Sequence, residues 1–151
     1  MRQEKHYKKG NSKIHSSCLI SCLPTDVCFG KGKQCKGCYA KKSEIRFAKT
    51  VIPARYRKLK QTKQPSFVND LVNEIIKSKR KVVRVHESGD FYSQDYIDKY
   101  VQIIKQLPDV KFYTYTKKLA TLDFSELLKL DNFNLINSQT PLGLNYGDME
   151  H

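Results

Sequence analysis

The chain of 151 residues reads as a small α/β protein, a parallel sheet or partial (β/α) barrel with a cysteine-bearing loop at one strand end. Three observations lead there. Apolar residues recur with the helical period in two stretches, Phe67-Val68-Leu71-Val72-Ile75-Ile76 and Tyr96-Ile97-Tyr100-Val101-Ile103-Ile104. Short β-rich runs, Lys81 to His86 and Val110 to Tyr115, alternate with them. The links are short, and strands alternating with helices across short links favour right-handed parallel crossovers.

Residues 1–12 are polar and basic and read as a flexible arm; residues 13–151 read as one domain. Ile14 to Leu23 forms a first, serine-rich strand closed by Pro24, and Thr25 to Cys38 is loop. Tyr39 to Thr50 reads as helix, with a basic turn from Ala54 to Lys60 after Pro53. Ser66 should cap the helix that begins at Phe67, and Ser93 the helix that carries Tyr96 to Ile104. Pro108 ends the latter before the strand Val110 to Tyr115. Asp123 and Glu126 have capping-box spacing for a short helix, Phe124 to Leu130, and Phe133 to Ile136 is the last strand.

Charge divides the domain. Residues 1–65 hold 17 Lys or Arg against 3 Asp or Glu, and residues 66–151 hold 11 against 12, so the net +13 belongs wholly to the first part. Lys33, Lys36, Lys41, Lys42, Arg46, Arg55 and Arg57 are the candidate polyanion-binding residues, with Tyr39, Phe47 and Tyr56 interleaved among them. Rings that stack bases, beside cations that follow phosphates, suit single-stranded nucleic acid. The same charge would also serve solubility, or neutralise an acidic protein partner. No apolar run has the length needed to cross a bilayer, so no membrane partner is expected.

All five cysteines lie between Cys18 and Cys38. Cys35-Lys36-Gly37-Cys38 has the two-residue spacing that lets a turn bring two thiolates to one ion, and Cys28 precedes it closely. A disulfide framework is the competing reading. Met1-Arg2-Gln3-Glu4-Lys5 opens a polar stretch without a secretory apolar segment, so a reduced cytoplasm is expected and metal is favoured.

Chemistry in parallel α/β folds gathers at the carboxyl ends of strands. Here those ends carry the cysteines, His86-Glu87-Ser88-Gly89-Asp90, Tyr115-Thr116-Lys117 and Asn137-Ser138-Gln139. Glu87, Ser88, Gly89 and Asp90 are the candidate small-ligand cradle. Alternatively they form a strand-to-helix turn whose side chains satisfy backbone donors.

The segments Cys28 to Ala40, Arg84 to Ser93, Phe112 to Lys117 and Asn137 to Asp148 resemble, in order, the phage "gene product 88" domain family of bacteriophages and other mobile elements. Together they span most of residues 20–148. The resemblance implies a phage-type protein, in the host cytoplasm if phage-encoded, and a distant likeness to radical S-adenosylmethionine proteins. That likeness implies a [4Fe-4S] cluster on Cys28, Cys35 and Cys38, with Glu87 to Asp90 where S-adenosylmethionine is held. The gap from Cys28 to Cys35 is longer than the usual radical spacing, and Gly37 stands where an aromatic residue often precedes the last cysteine. Members of the family are longer, so a truncated radical-type enzyme is one expectation.

Ligand number separates the metals. Three thiolates on a [4Fe-4S] cluster leave one iron open, whereas structural zinc takes four ligands; Cys22 is the first candidate for a fourth and Cys18 the second. The two functional expectations are an iron-sulfur protein, with or without catalysis, and a zinc-stapled basic module that binds nucleic acid or an acidic protein.

Overall fold

The computed structural model describes residues 8–9, 18–25, 38–116, 119 and 121–137. Strands β1 (Lys8–Lys9), β2 (Cys18–Cys22), β3 (Val82–Ser88), β4 (Lys111–Thr116) and β5 (Phe133–Asn137) form one sheet in the order β1-β2-β3-β4-β5. β1 runs antiparallel to β2, and β2 to β5 are mutually parallel. Helices α1 (Tyr39–Arg46), α2 (Ala48–Thr62) and α3 (Phe67–Ser78) connect β2 to β3; α4 (Gln94–Lys105) connects β3 to β4, and α5 (Ser125–Leu128) connects β4 to β5. The α/β expectation therefore holds. Sequential strand order with crossovers of one hand sets the helices on one side of the sheet, and α3 packs on α4 and α4 on α5.

The core follows the periodicity. Leu71 and Ile75 of α3, Ile97, Ile103 and Ile104 of α4, Val83 and Val85 of β3, Phe112 of β4 and Leu127 of α5 are buried in one cluster. Phe67, Phe91, Tyr96 and Tyr100 add a tilted and edge-to-face set of rings, from 5.2 Å between Tyr96 and Tyr100 to 6.1 Å between Phe67 and Tyr96.

Several local expectations change. Lys8 and Lys9, inside the expected arm, pair with Ile20 and Leu19. The helix expected over Tyr39 to Thr50 breaks at Phe47 (φ −121°, ψ 43°), and α2 then runs through Pro53 instead of stopping there. A proline past the first turn removes one helical hydrogen bond, and the burial of Arg55 and Thr62 holds α2 across that loss. Ser93 caps α4 as expected by accepting from the Tyr96 N–H at 3.2 Å. Ser66 stands at the start of α3, but its hydroxyl donates to the Asp70 carboxylate at 2.8 Å and caps no backbone group. Asp123 accepts from the Ser125 N–H at 2.9 Å while Glu126 pairs with Lys129, so the expected capping box is absent and α5 is only 4 residues long.

Candidate functional site

The carboxyl ends of β2, β3 and β4 are stitched together by polar side chains. The Ser88 hydroxyl donates to the Leu23 carbonyl at 2.9 Å, and the Leu23 N–H donates to the Ser88 carbonyl at 3.0 Å. Gly89 then takes φ 76°, a left-handed turn that a side chain would oppose. The turn points Asp90 back over the sheet end, where its Oδ1 accepts from the Phe91 N–H at 2.7 Å and from the Thr116 hydroxyl of β4 at 2.9 Å. Ser88, Asp90 and Thr116 are all buried. Of the four candidate cradle residues, Ser88, Gly89 and Asp90 thus come together at one place. Glu87 precedes them in β3, and Lys117, Ser138 and Gln139 fall outside the described residues.

His86 lies just upstream. From the pair Ile20–Arg84 to the pair Cys22–Ser88, β2 advances two residues and β3 four. That irregularity breaks the alternation of β3, and the neighbours Val85 and His86 are both buried. The ring stands 4.9 Å from Phe91 and 5.6 Å from Tyr96, and its Nε2 shares a 2.7 Å hydrogen bond with the Tyr96 hydroxyl. Nδ1 is buried with no hydrogen-bond partner among the described residues. Burial, with the charge of Arg84 behind it, pushes the imidazole pKa down to about 3, so the ring is neutral at physiological pH.

A second polar cluster borders the cysteine segment. Glu44 of α1 accepts from the Thr25 N–H at 2.8 Å and from the Thr25 hydroxyl at 2.6 Å. Arg55 of α2 donates through one nitrogen to Glu44 at 2.9 Å and to the Ala40 carbonyl at 2.9 Å. Thr25, Ala40, Glu44 and Arg55 are all buried. Burial raises the Glu44 pKa, but the hydrogen bonds from Thr25 and the contact with Arg55 outweigh it, and the carboxyl sits below its ordinary value. Arg55 is accordingly not a surface cation: it is committed to Glu44, which removes it from the expected polyanion-binding set. No local signal separates it from Arg57, which is exposed two residues later.

The remaining surface of α1 and α2 is of one sign. Glu44 is the sole acidic residue between Tyr39 and Thr62, and it faces inward. Lys41, Lys42, Arg46, Lys49, Arg57 and Lys60 are exposed, as are Ile45, Phe47 and Tyr56. The Arg46 guanidinium lies 5.3 Å from the centre of the Phe47 ring. Lys33 and Lys36 fall outside the described residues.

The sequence model of the Gene product 88 family matches residues 2–140. The chain belongs to that family. It is 30% identical over 116 residues to the Gene 88 protein of Mycobacterium phage L5, an alignment covering 70% of this chain and 48% of the relative. It is 33% identical over 73 residues to the Gene 88 protein of Mycobacterium phage D29, covering 48% of this chain and 30% of the relative. The chain thus spans at most about half the length of these phage relatives. No solved structure matches it.

In this Gene product 88 chain the described cysteines occupy distinct stations. Cys38 immediately precedes α1, is partly exposed and carries no disulfide among the described residues. Cys22 ends β2 opposite Ser88, three residues before Thr25, whereas Cys18 starts the same strand opposite Val82. Four residues of strand separate Cys18 from Cys22 by about 13 Å, so one metal coordination sphere cannot take both from an extended strand. Cys28 and Cys35 lie outside the described residues, among which no three His, Cys, Asp or Glu side chains converge. Among those same residues no helix of the Gene product 88 chain is long and apolar enough to cross a membrane.

Proposed function

We propose that this Gene product 88 protein binds single-stranded nucleic acid on the outward face of α1 and α2, and that its cysteine segment holds a metal centre beside that face. The observation that carries the reading is the inward burial of Glu44, which leaves only positive charge exposed on the two helices, next to the exposed rings of Phe47 and Tyr56. Cations track phosphates and rings accept bases, which favours nucleic acid over an acidic protein as partner. The test is fluorescence anisotropy of a labelled single-stranded oligonucleotide across a salt series, comparing the wild type with the triple variant Lys42→Glu, Arg46→Glu, Lys49→Glu. The expected result is weaker binding and a salt slope shallower by about 2, from three lost phosphate contacts. An unchanged affinity and slope would sink the reading.

For the metal, the reading is a [4Fe-4S] cluster on Cys28, Cys35 and Cys38. Thiolates are the right donors for it, and Cys38 is partly exposed and unbridged among the described residues. About four irons per chain, together with sulfide, after purification without oxygen would support the cluster. About one zinc in colourless protein would support a four-thiolate site instead, with Cys22 rather than Cys18 as the fourth ligand because it ends β2 on the side of the cysteine segment.

A radical S-adenosylmethionine activity is the catalytic extension of this proposal, and it would use Glu87 to Asp90 for the cofactor. The Ser88 hydroxyl and Asp90 Oδ1 already serve hydrogen bonds within the chain, which favours a binding module over an enzyme. S-adenosylmethionine binding that is present in the wild type and lost in Asp90→Asn, with the metal retained, would reverse that preference.

A further inference from the structure

We infer that the sheet face opposite the core is a second contact for single-stranded nucleic acid, a stacking platform built by Arg84, Tyr113 and Tyr115. The two faces of the sheet differ in kind. Val83, Val85, Phe112 and Phe133 turn toward the core that α3, α4 and α5 complete, and Leu59 of α2 packs against the same core. Alternation along the strands puts Arg84 of β3, Lys111, Tyr113 and Tyr115 of β4, and Asn134 and Ile136 of β5 on the other face. Tyr113, Tyr115 and Ile136 do not belong to the core cluster.

Parallel sheets are ordinarily covered on both faces, and their strands are then rich in Val, Ile and Leu. The centre of this face is made otherwise. Register sets Arg84 beside Tyr113, and Tyr113 beside Asn134. The Arg84 guanidinium lies 5.1 Å from the centre of the Tyr115 ring, and the Tyr113 and Tyr115 rings stand 6.3 Å apart at 78°. Arg84 Nε donates to the His86 carbonyl at 3.1 Å, which anchors the guanidinium and leaves its terminal nitrogens without a hydrogen bond among the described residues. Arg84 and both tyrosines are half-buried, so each keeps accessible surface, and Lys111 and Asn134 are exposed.

That set fits a base and its phosphate better than a layer of protein. Rings and guanidinium planes stack bases with little regard to their identity, and cations follow phosphates. Residues 82–85, 111–116 and 133–137 include no Asp or Glu, so the charge that Arg84 and Lys111 give this face is positive. A covering helix or second sheet would meet aliphatic side chains at the centre, whereas Ile136, the buried aliphatic residue described on this face, lies on the edge strand β5. The platform adds to the surface of α1 and α2 and does not depend on it.

Two measurements on the full chain test the platform. In the first, a single-stranded oligonucleotide carrying 5-iodouracil is irradiated with the wild-type protein, and the adducts are located by mass spectrometry. Adducts at Tyr113 or Tyr115 are expected. Adducts confined to Phe47 and Tyr56 overturn the platform and leave the α1 and α2 surface standing; adducts confined to Tyr113 and Tyr115 do the reverse. In the second, anisotropy titrations across a salt series compare Tyr115→Leu and Tyr115→Phe with the wild type, after thermal unfolding has shown each variant to be folded. Tyr115→Leu should weaken binding about tenfold, on the scale of one lost base stack. Its salt slope should match the wild type, because a stacked ring releases no counterion. Tyr115→Phe keeps the ring and should bind within about twofold of the wild type. Wild-type affinity in folded Tyr115→Leu overturns the platform, and a chain that binds no oligonucleotide overturns both surfaces.

Discussion

Residues 67–136 and residues 23–62 exclude water by different means. In the first stretch the buried residues are Leu, Ile, Val, Phe and Tyr from three helices and three strands, with polar burial limited to β3, β4 and the turn at Asp90. In the second, Thr25, Glu44, Arg55 and Thr62 are buried beside Leu23 and Ala40. Apolar burial supplies bulk stability without direction. A buried ion pair returns little net stability but leaves a large penalty when one partner is lost. The βαβα part is therefore the source of folding energy, and the Glu44 cluster specifies how Thr25, α1 and α2 meet.

Mutations can break that comparison. Phe91 is fully buried against His86, Tyr96, Tyr100 and Phe124, and Phe91→Ala should cost about 3–5 kcal/mol of unfolding free energy in urea titrations. Arg55→Ala should cost nearly as much, about 3 kcal/mol, because Glu44 would be left charged and buried. A loss below about 1 kcal/mol would mean that Glu44 finds another partner.

Protonation sharpens the contrast. His86 is held at a pKa of about 3 in the fold against 6.5 ordinarily, so the unfolded chain binds the extra proton in between. Its contribution is complete above pH 6.5 and declines as pH falls toward 3, at up to about 1.4 kcal/mol per pH unit. Urea titrations from pH 7.5 to 4.5 should show that slope in the wild type and a shallower one in His86→Gln; parallel slopes would exclude a buried neutral histidine. Glu44 acts lower on the scale. Its pKa is depressed, so its contribution is present above its ordinary value of 4.5 and is lost as pH falls through its lower folded value. Glu44→Gln should flatten the stability profile below pH 4.5 while leaving the His86 window unchanged.

The smallest effect belongs to the basic surface. Lys42 is exposed on α1, and Lys42→Ala should change unfolding free energy by less than about 0.5 kcal/mol. The contrast with Arg55→Ala, in the adjoining helix, is the direct measure of how differently the cations of this region are used.

Much of the βαβα part was legible in the residues. Ile76 is exposed and Val68 only half-buried, but the other periodic positions of α3 and α4 mark the buried face, and Ser93 caps where its spacing says. Legibility failed where two readings had equal local support. Pro53 suggested a helix end, yet α2 continues because its buried residues hold it in place. Asp90 suggested either a ligand cradle or a turn, and the turn's own hydrogen bonds occupy its Oδ1. Arg55 looked like its neighbours Arg57 and Lys58, since a charge run does not reveal which member points inward.

The α/β class, the division of charge at about residue 65 and the grouping of the cysteines before the first long helices are properties of the amino-acid order itself. They depend on periods of two and 3.6 residues and on composition, which act locally. Only the tertiary structure decided that Glu44 meets Thr25, that Asp90 meets Thr116 and that Ser88 meets Leu23. Those partners are separated by 19, 26 and 65 residues. A periodic pattern states which face is buried; which donor waits on the other side is settled by how the strands register and where the chain returns.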